Sequence, residues 1–359
     1  MKKLNSYLYY AAFILIVLLR LFYMSKLINF PTYITKLMVL FAIFLLVLKI
    51  MLDEHSFKEL VLIVLFGLIF IFLYIKDVSY VFLTTYLAFV GIKNVNIKNV
   101  IKIDLVLKLF FIIIHCSLFA LDYLFYDSAI VNEIFITSKG VVYSLFTNNP
   151  NNLPTLVFWM IIDIIFLAKN NKARNFIIYF IIISIFYELT KTRTVLILFF
   201  ILLILYIIKD KKIVNSIYKY SYFIMFLISI LLLKLHDIFP KMFFDINSLL
   251  SNRLSYPYNA INNIGVRFMP LLEQKELNMI YIIDNFYLKS LVFYGIIILL
   301  LMGIPFLLKK KNTTSKQILI CLITAFYLFL EVAPIDVGYA ISYLIIGNMI
   351  FNKGVRNNE

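Results

Sequence analysis

Arg193-Thr-Val-Leu-Ile-Leu-Phe-Phe-Ile-Leu-Leu-Ile-Leu-Tyr-Ile-Ile208 carries no charge after its first residue and runs straight into Lys209-Asp210-Lys211-Lys212. No apolar/polar alternation of helical period interrupts it, so a helix here has no face for water. A helix apolar all round is buried in a large core or surrounded by lipid. The abrupt basic end points to lipid, because cationic clusters collect where spans emerge on the cytoplasmic side. Read outward, the same pattern recurs and gives twelve predominantly apolar runs. They lie near 7–24, 34–51, 59–75, 78–92, 103–124, 154–168, 175–190, 193–208, 217–235, 286–308, 317–333 and 335–351.

The composition agrees with that count. The 359 residues are 63% hydrophobic and 15% charged, with a mean hydropathy of +0.97; a soluble domain is nearer half apolar and a quarter charged. A span takes about 20 apolar residues, so ten to twelve of them use roughly two-thirds of the chain. Disorder, a disulfide-rich secreted scaffold and a soluble enzyme on a single anchor are excluded. The expected fold is an all-α polytopic membrane protein of about twelve transmembrane helices in one domain. Cys116 and Cys321 fall inside apolar runs and read as small buried hydrophobes. The first run lacks a small-residue cleavage site, so no cleavable signal is expected.

Lys and Arg total 34 against 19 Asp and Glu, a net +15. With the amino terminus placed inside, twenty cations fall in the cytoplasmic segments and nine in the outer ones, and positive loops face the cytoplasm. The surplus is thus an orientation signal, and no nucleic acid is expected as a partner. Both termini are expected in the cytoplasm. Two outer segments, about 126–153 and 236–285, exceed what a connection needs. The cytoplasmic turns leave no room for a nucleotide-binding domain, and no GxxxxGK[ST] element occurs. The halves show no sequence repeat of the kind found in inverted-repeat transporters.

Charges at membrane depth are functional candidates by default. Arg20, Lys36, Lys108 and Lys234 lie in or near span ends and are expected to snorkel to an interface. Asp163, inside the sixth run, is expected to pair with a cation on a neighbouring helix. The hairpin Tyr187-Glu-Leu-Thr-Lys191-Thr-Arg193-Thr194 puts Lys191 and Arg193 at the outer mouth of a helix amino terminus. They are either interfacial anchors or an anion site. In the long loop, Ile246, Leu249, Leu250 and Leu254 recur at helical spacing, which predicts an amphipathic helix presenting Arg253, with Asp245 or Asn247 as its cap. Arg267 lies further along. Asp284 and Asn285 close the loop at a helix mouth, where they are either caps or chemistry. His236 opens the same loop and is the rival proton acceptor. The outer acids form no tight cluster of the kind magnesium or manganese sites use, so neither a metal nor a cofactor is expected.

Four stretches resemble the bacterial polysaccharide polymerase family called Wzy, within the wider O-antigen polymerase and ligase group. Tyr143-Ser-Leu-Phe-Thr-Asn-Asn-Pro150-Asn151 is similar to the family's aromatic–x–Pro-Asn segment. Thr190-Lys-Thr-Arg193-Thr194 is similar to its Ser-Arg-(Thr/Gly) turn opening a helix, although Lys191-Thr192 replaces the usual small pair. Leu250-Ser-Asn-Arg253-Leu254 is similar to its Gly-Arg-Leu element, with Asn252 in place of glycine. Asp284-Asn285-Phe-Tyr287-Leu288, followed by Gly295, resembles its (Asp/His)-Asn-x-(Tyr/Leu)-Leu…Gly segment. The resemblance covers about residues 140 to 300.

The resemblance implies a lipid-carrier-dependent, GT-C-like glycosyltransferase in the bacterial cytoplasmic membrane, independent of metal. Its substrate would be an oligosaccharide repeat unit on undecaprenyl diphosphate, met at the outer leaflet among the membrane lipids. Its partners would be a chain-length regulator and the flippase of the same pathway. Arg193 and Arg253 are expected to hold the diphosphate leaving group and Asp284 to take the acceptor's proton. Asn151, Lys191, Asn285, Tyr287, Arg267 and His236 are expected to contact substrate. A flippase or exporter of the same glycan, with its 25 Tyr and 36 Phe lining a path, and a polysaccharide ligase are the alternatives. Long loops and paired arginines on one face favour catalysis over transport, and Asp rather than His at 284 favours polymerase over ligase.

Overall fold

The computed structural model describes residues 2–28, 30–76, 79–125, 134–137, 140–169, 172–249, 253–271, 277, 280–308 and 313–352. Among the described residues the regular structure is helical apart from one short antiparallel hairpin, β1 (Ile134–Thr137) with β2 (Gly140–Tyr143). The helices of the first half are α1 (Lys2–Met24), α2 (Thr32–Leu52), α3 (Phe57–Ile75), α4 (Tyr80–Gly91), α5 (Ile97–Phe125) and α6 (Asn152–Leu167). Then come α7 (Ala173–Thr190), α8 (Arg193–Ile208), α9 (Lys212–Ile217), α10 (Ser221–Ile238), α11 (Pro240–Leu249) and α12 (Ser255–Ile264). The last are α13 (Phe286–Lys289), α14 (Ile296–Leu307), α15 (Ser315–Leu330) and α16 (Ser342–Phe351).

Five of the apolar segments, Leu4–Met24, Thr32–Leu52, Ile97–Leu124, Ala173–Thr190 and Lys212–Ile238, are long and apolar enough to cross a membrane, and shorter apolar helices occupy the remaining expected runs. The chain is an integral membrane protein by that measure. Its surface agrees: Phe41 and Phe44 of α2, and Leu62, Leu65 and Leu68 of α3, are exposed large hydrophobics. Exposed apolar surface on this scale is unfavourable in water and neutral in lipid. The centre is α15, apolar on nearly every side and packed against α6, α8, α10, α13 and α16. Its start is fixed by a capping box in which Thr314 and Gln317 exchange side-chain and backbone hydrogen bonds.

Two expected runs are broken. The run 286–308 divides into α13, a π-helical turn over Ser290–Tyr294, and α14, with Gly295 at φ +83° between them. A Cβ at Gly295 would come within 2.6 Å of the Phe268 carbonyl oxygen, so the close approach of the loop requires glycine. Residues 267–271 supply the hydrogen bonds the break leaves open. Arg267 N–H donates to Leu291 O, Ile296 N–H to Arg267 O and Leu271 N–H to Phe293 O, at 2.8–2.9 Å.

The run expected over 335–351 is helical only from Ser342. Between α15 and α16, Glu331 to Ile341 is irregular apart from one 3-10 turn, Ala333–Ile335, yet much of it is buried. Buried irregular backbone is tolerated only where neighbouring groups satisfy its polar atoms. Here Thr85 Oγ1 donates to Ile335 O at 2.7 Å, and Asp336 Oδ1 accepts from Gly338 N–H at 2.9 Å.

The snorkelling expectation fails for two cations. Lys108 has no exposed surface and lies between Asp104 and Asp163, so Asp163 does find its cation on a neighbouring helix. Arg20 pairs with Asp336 at 3.4 Å and stacks over the Tyr339 ring at 4.5 Å, clamping the irregular segment to α1.

Candidate functional site

Arg253 sits in the turn between α11 and α12, not on the amphipathic helix expected across 246–254. Asn247 explains the turn. Instead of capping a helix of its own, its side-chain oxygen accepts from the N–H groups of Leu254 and Ser255, at 2.9 and 3.2 Å, so it caps α12 from the end of α11. The preceding residues of that motif, 250–252, lie outside the described residues. From this turn the Arg253 guanidinium reaches three other elements. Nε lies 3.2 Å from Asp284 Oδ2, just ahead of α13. Nη1 donates to Thr194 Oγ1 in the first turn of α8 and to Leu330 O at the end of α15, both at 3.3 Å. The same Nη1 lies 3.8 Å from Glu331 Oε1. Nη2 meets no partner among the described residues, which leaves donors free for a ligand.

Arg193 is exposed and makes no ion pair or hydrogen bond among the described residues. It precedes Thr194, so both arginine-bearing segments meet at the amino terminus of α8. Thr192 does not cap that helix: its hydroxyl accepts from Thr190 Oγ1 and donates to Asn151 Oδ1, ahead of α6, both at 2.9 Å. The unsatisfied N–H groups of the first turn and the partial positive charge of the helix end therefore stand beside two arginines. The parts of all four family-like stretches that fall among the described residues converge here through direct side-chain contacts: Asn151 to Thr192, Thr194 to Arg253, and Arg253 to Asp284.

Glu331 belongs to this cluster and was not anticipated. It lies one residue beyond α15, with its side chain 15% exposed against 36% for Asp284. Burial pushes its carboxyl up to about 7; the Asp284 carboxylate adds to that rise, while Arg253 and the Thr194 hydroxyl oppose it. The sequence does carry a signal. Glu331 and Asp336 are two acids flanking Pro334 within an otherwise apolar stretch, a pattern that marks a discontinuous helix better than two abutting spans.

The other expected substrate contacts divide. Asn285 caps α13, accepting from Leu288 N–H at 3.0 Å and donating to Ser229 Oγ at 3.1 Å, so its amide is engaged in packing. Tyr287 is fully buried, and its hydroxyl donates to Ala325 O at 3.0 Å; it is a core residue. Lys191 closes α7 in the left-handed conformation, with φ at +51°, and its ammonium pairs with Glu188. Arg267 is exposed, and its backbone serves the Gly295 break. His236 stacks on Tyr258 at 3.9 Å, with Nδ1 3.3 Å from Asp237 Oδ1. That places it in a separate aromatic group at the end of α10. Compared with family models, curated proteins and solved structures, the chain finds no match.

Proposed function

We propose that the chain polymerises undecaprenyl-diphosphate-linked oligosaccharide units at the outer face of the bacterial cytoplasmic membrane, as the family resemblance implies. The observation that carries this reading is Arg253, whose guanidinium joins the first turn of α8 to Asp284 with donors to spare. The growing chain is the donor. A hydroxyl of the incoming unit attacks its anomeric carbon, the new C–O bond forms, and the bond to the diphosphate breaks with its electron pair. Developing charge on the leaving diphosphate is met by the Arg253 fork, by Arg193 and by the α8 amino terminus; preorganised donors of this kind are among the strongest contributions an enzyme makes. A carboxylate takes the hydroxyl proton. The chain-length regulator and flippase of the same pathway are the partners this role requires.

Deleting the gene and sizing the cell's surface glycan tests the reading. Single repeat units should remain. Complete loss of outer-face product would identify a flippase instead, and full-length chains held on the lipid carrier would identify a ligase.

The same reading requires twelve spans with both termini inside, which places α11 outside the cell and the turn between α8 and α9 within it. A single cysteine at Ser248, in α11, should react with a membrane-impermeant thiol reagent on intact cells, and one at Asp210, in that turn, should not. Both positions are exposed. The reverse pattern inverts the topology and removes the site from the outer leaflet.

A further inference from the structure

We propose that Glu331, not Asp284, is the proton acceptor for the attacking hydroxyl. The proposal rests on the glycosyl-transfer reading above. One guanidinium faces two acids, and the geometry divides their roles. Asp284 is met directly by Arg253 Nε at 3.2 Å and is the more exposed of the two. That pairing commits the Asp284 carboxylate to holding the guanidinium in place. Glu331 stands off Nη1 at 3.8 Å and is more deeply buried. It also follows the last turn of α15, where unpaired carbonyls carry partial negative charge.

The groups that face Glu331 come from every element around it. Arg253, from the turn before α12, and the Thr194 hydroxyl of α8 favour its ionised form, and Asp284, ahead of α13, disfavours it. The phenols of Tyr327, on α15, and Tyr339, on the irregular segment, complete the surroundings. The resulting carboxyl, near 7, is poised where a general base is most effective.

The step balances without a further reactant. The acceptor O–H bond breaks and its proton goes to the Glu331 carboxylate. The freed oxygen bonds to the anomeric carbon, and the electron pair of the old C–O bond leaves with the diphosphate. Arg253 is then shared between base and leaving group.

The test is extension of lipid-linked units, isolated from cells lacking this chain, by the purified wild type and its variants between pH 5.5 and 9. Wild-type rate should climb with pH through about 7 as Glu331 ionises. Glu331→Gln should lower the rate about 10²–10⁴-fold, abolish that limb and bind sugar-free undecaprenyl diphosphate at least as tightly as the wild type. Asp284→Asn should keep the limb and move it to lower pH, because a negative neighbour is lost and Arg253 is freed to approach Glu331. A wild-type profile flat across pH 6 to 8, or a Glu331→Gln variant as fast as wild type, overturns the assignment. So does an Asp284→Asn variant that loses the limb, which returns the role to Asp284. If Glu331→Gln fails to fold, the wild-type and Asp284→Asn profiles decide by themselves. A folded wild type that extends nothing at any pH overturns the glycosyl-transfer reading itself, and the base assignment with it.

Discussion

Arg253→Ala is expected to lower polymerisation by at least about 10²–10³-fold, the loss seen when one preorganised donor is removed from a developing anion. Here the deletion removes more than one donor. The side chain meets Asp284, Thr194, Leu330 and Glu331, and its absence leaves two acids facing an anionic leaving group with nothing between them. The same contacts tie the α11–α12 turn to α8 and α15, so the alanine variant removes a structural link as well as a catalytic one. Arg253→Lys separates the two. A lysine keeps the charge and one contact, which preserves folding, but as a point charge it cannot grip phosphate oxygens while still holding Asp284. It should fold like the wild type and remain strongly impaired. Lys241→Ala, at an exposed position on α11, should be nearly silent. Full-length polymer from Arg253→Ala at normal expression would remove the site from this end of the bundle.

How much of this was legible follows from what periodicity can register. A predominantly apolar run flanked by charges identifies α2, α7 and α8 to within two residues at either end, because lipid demands an apolar surface all round and the end of the run is the end of the demand. The same signal cannot tell a continuous helix from a broken one. The runs 286–308 and 335–351 are apolar because they are buried in protein, and burial imposes no helical geometry once other groups satisfy the backbone. Gly295 was noted as a motif position, yet the segment that requires it, Phe268–Met269, lies in the loop and has no periodic mark. Glu331 is hidden for a related reason: it falls inside the expected run 317–333, where one acid among apolar neighbours leaves the run apolar. The four motif stretches could be ordered along the chain. Their convergence on one guanidinium needed the structure, since α15 brings the fifth contributor from outside the region of resemblance. Asn285 shows the reverse, because the capping alternative was legible and is the role its amide plays.

Lys108→Met is expected to remove most of the folded protein. Asp104 and Lys108 are one helical turn apart on α5 and share a face; Asp163 comes from α6, and none of the three side chains has exposed surface. Lys108 Nζ lies 2.5 Å from Asp104 Oδ2 and 3.1 Å from Asp163 Oδ2. Two acids already share this one cation, and Oδ1 of each has no hydrogen-bond partner among the described residues. Removing the ammonium leaves two carboxyl groups in a medium of low dielectric with no counter-charge. Breaking a buried pair in this way costs about 3–5 kcal/mol, a large share of the about 5–15 kcal/mol typical of a folded domain. The triple variant Asp104→Asn, Lys108→Met, Asp163→Asn removes every charge together. Replacing a whole buried ionic group by neutral ones is often tolerated, so the triple should regain the folded, monodisperse species that the single variant loses, read by size-exclusion of detergent-solubilised protein. A single Lys108→Met variant as abundant and stable as wild type would show that the ammonium is not what holds α5 to α6. The recovered triple then carries a second reading. If it restores full-length polymer to deleted cells, the triad is a structural staple; if it folds and polymerises nothing, the buried charges take part in the reaction cycle and the site extends well below the helix mouths.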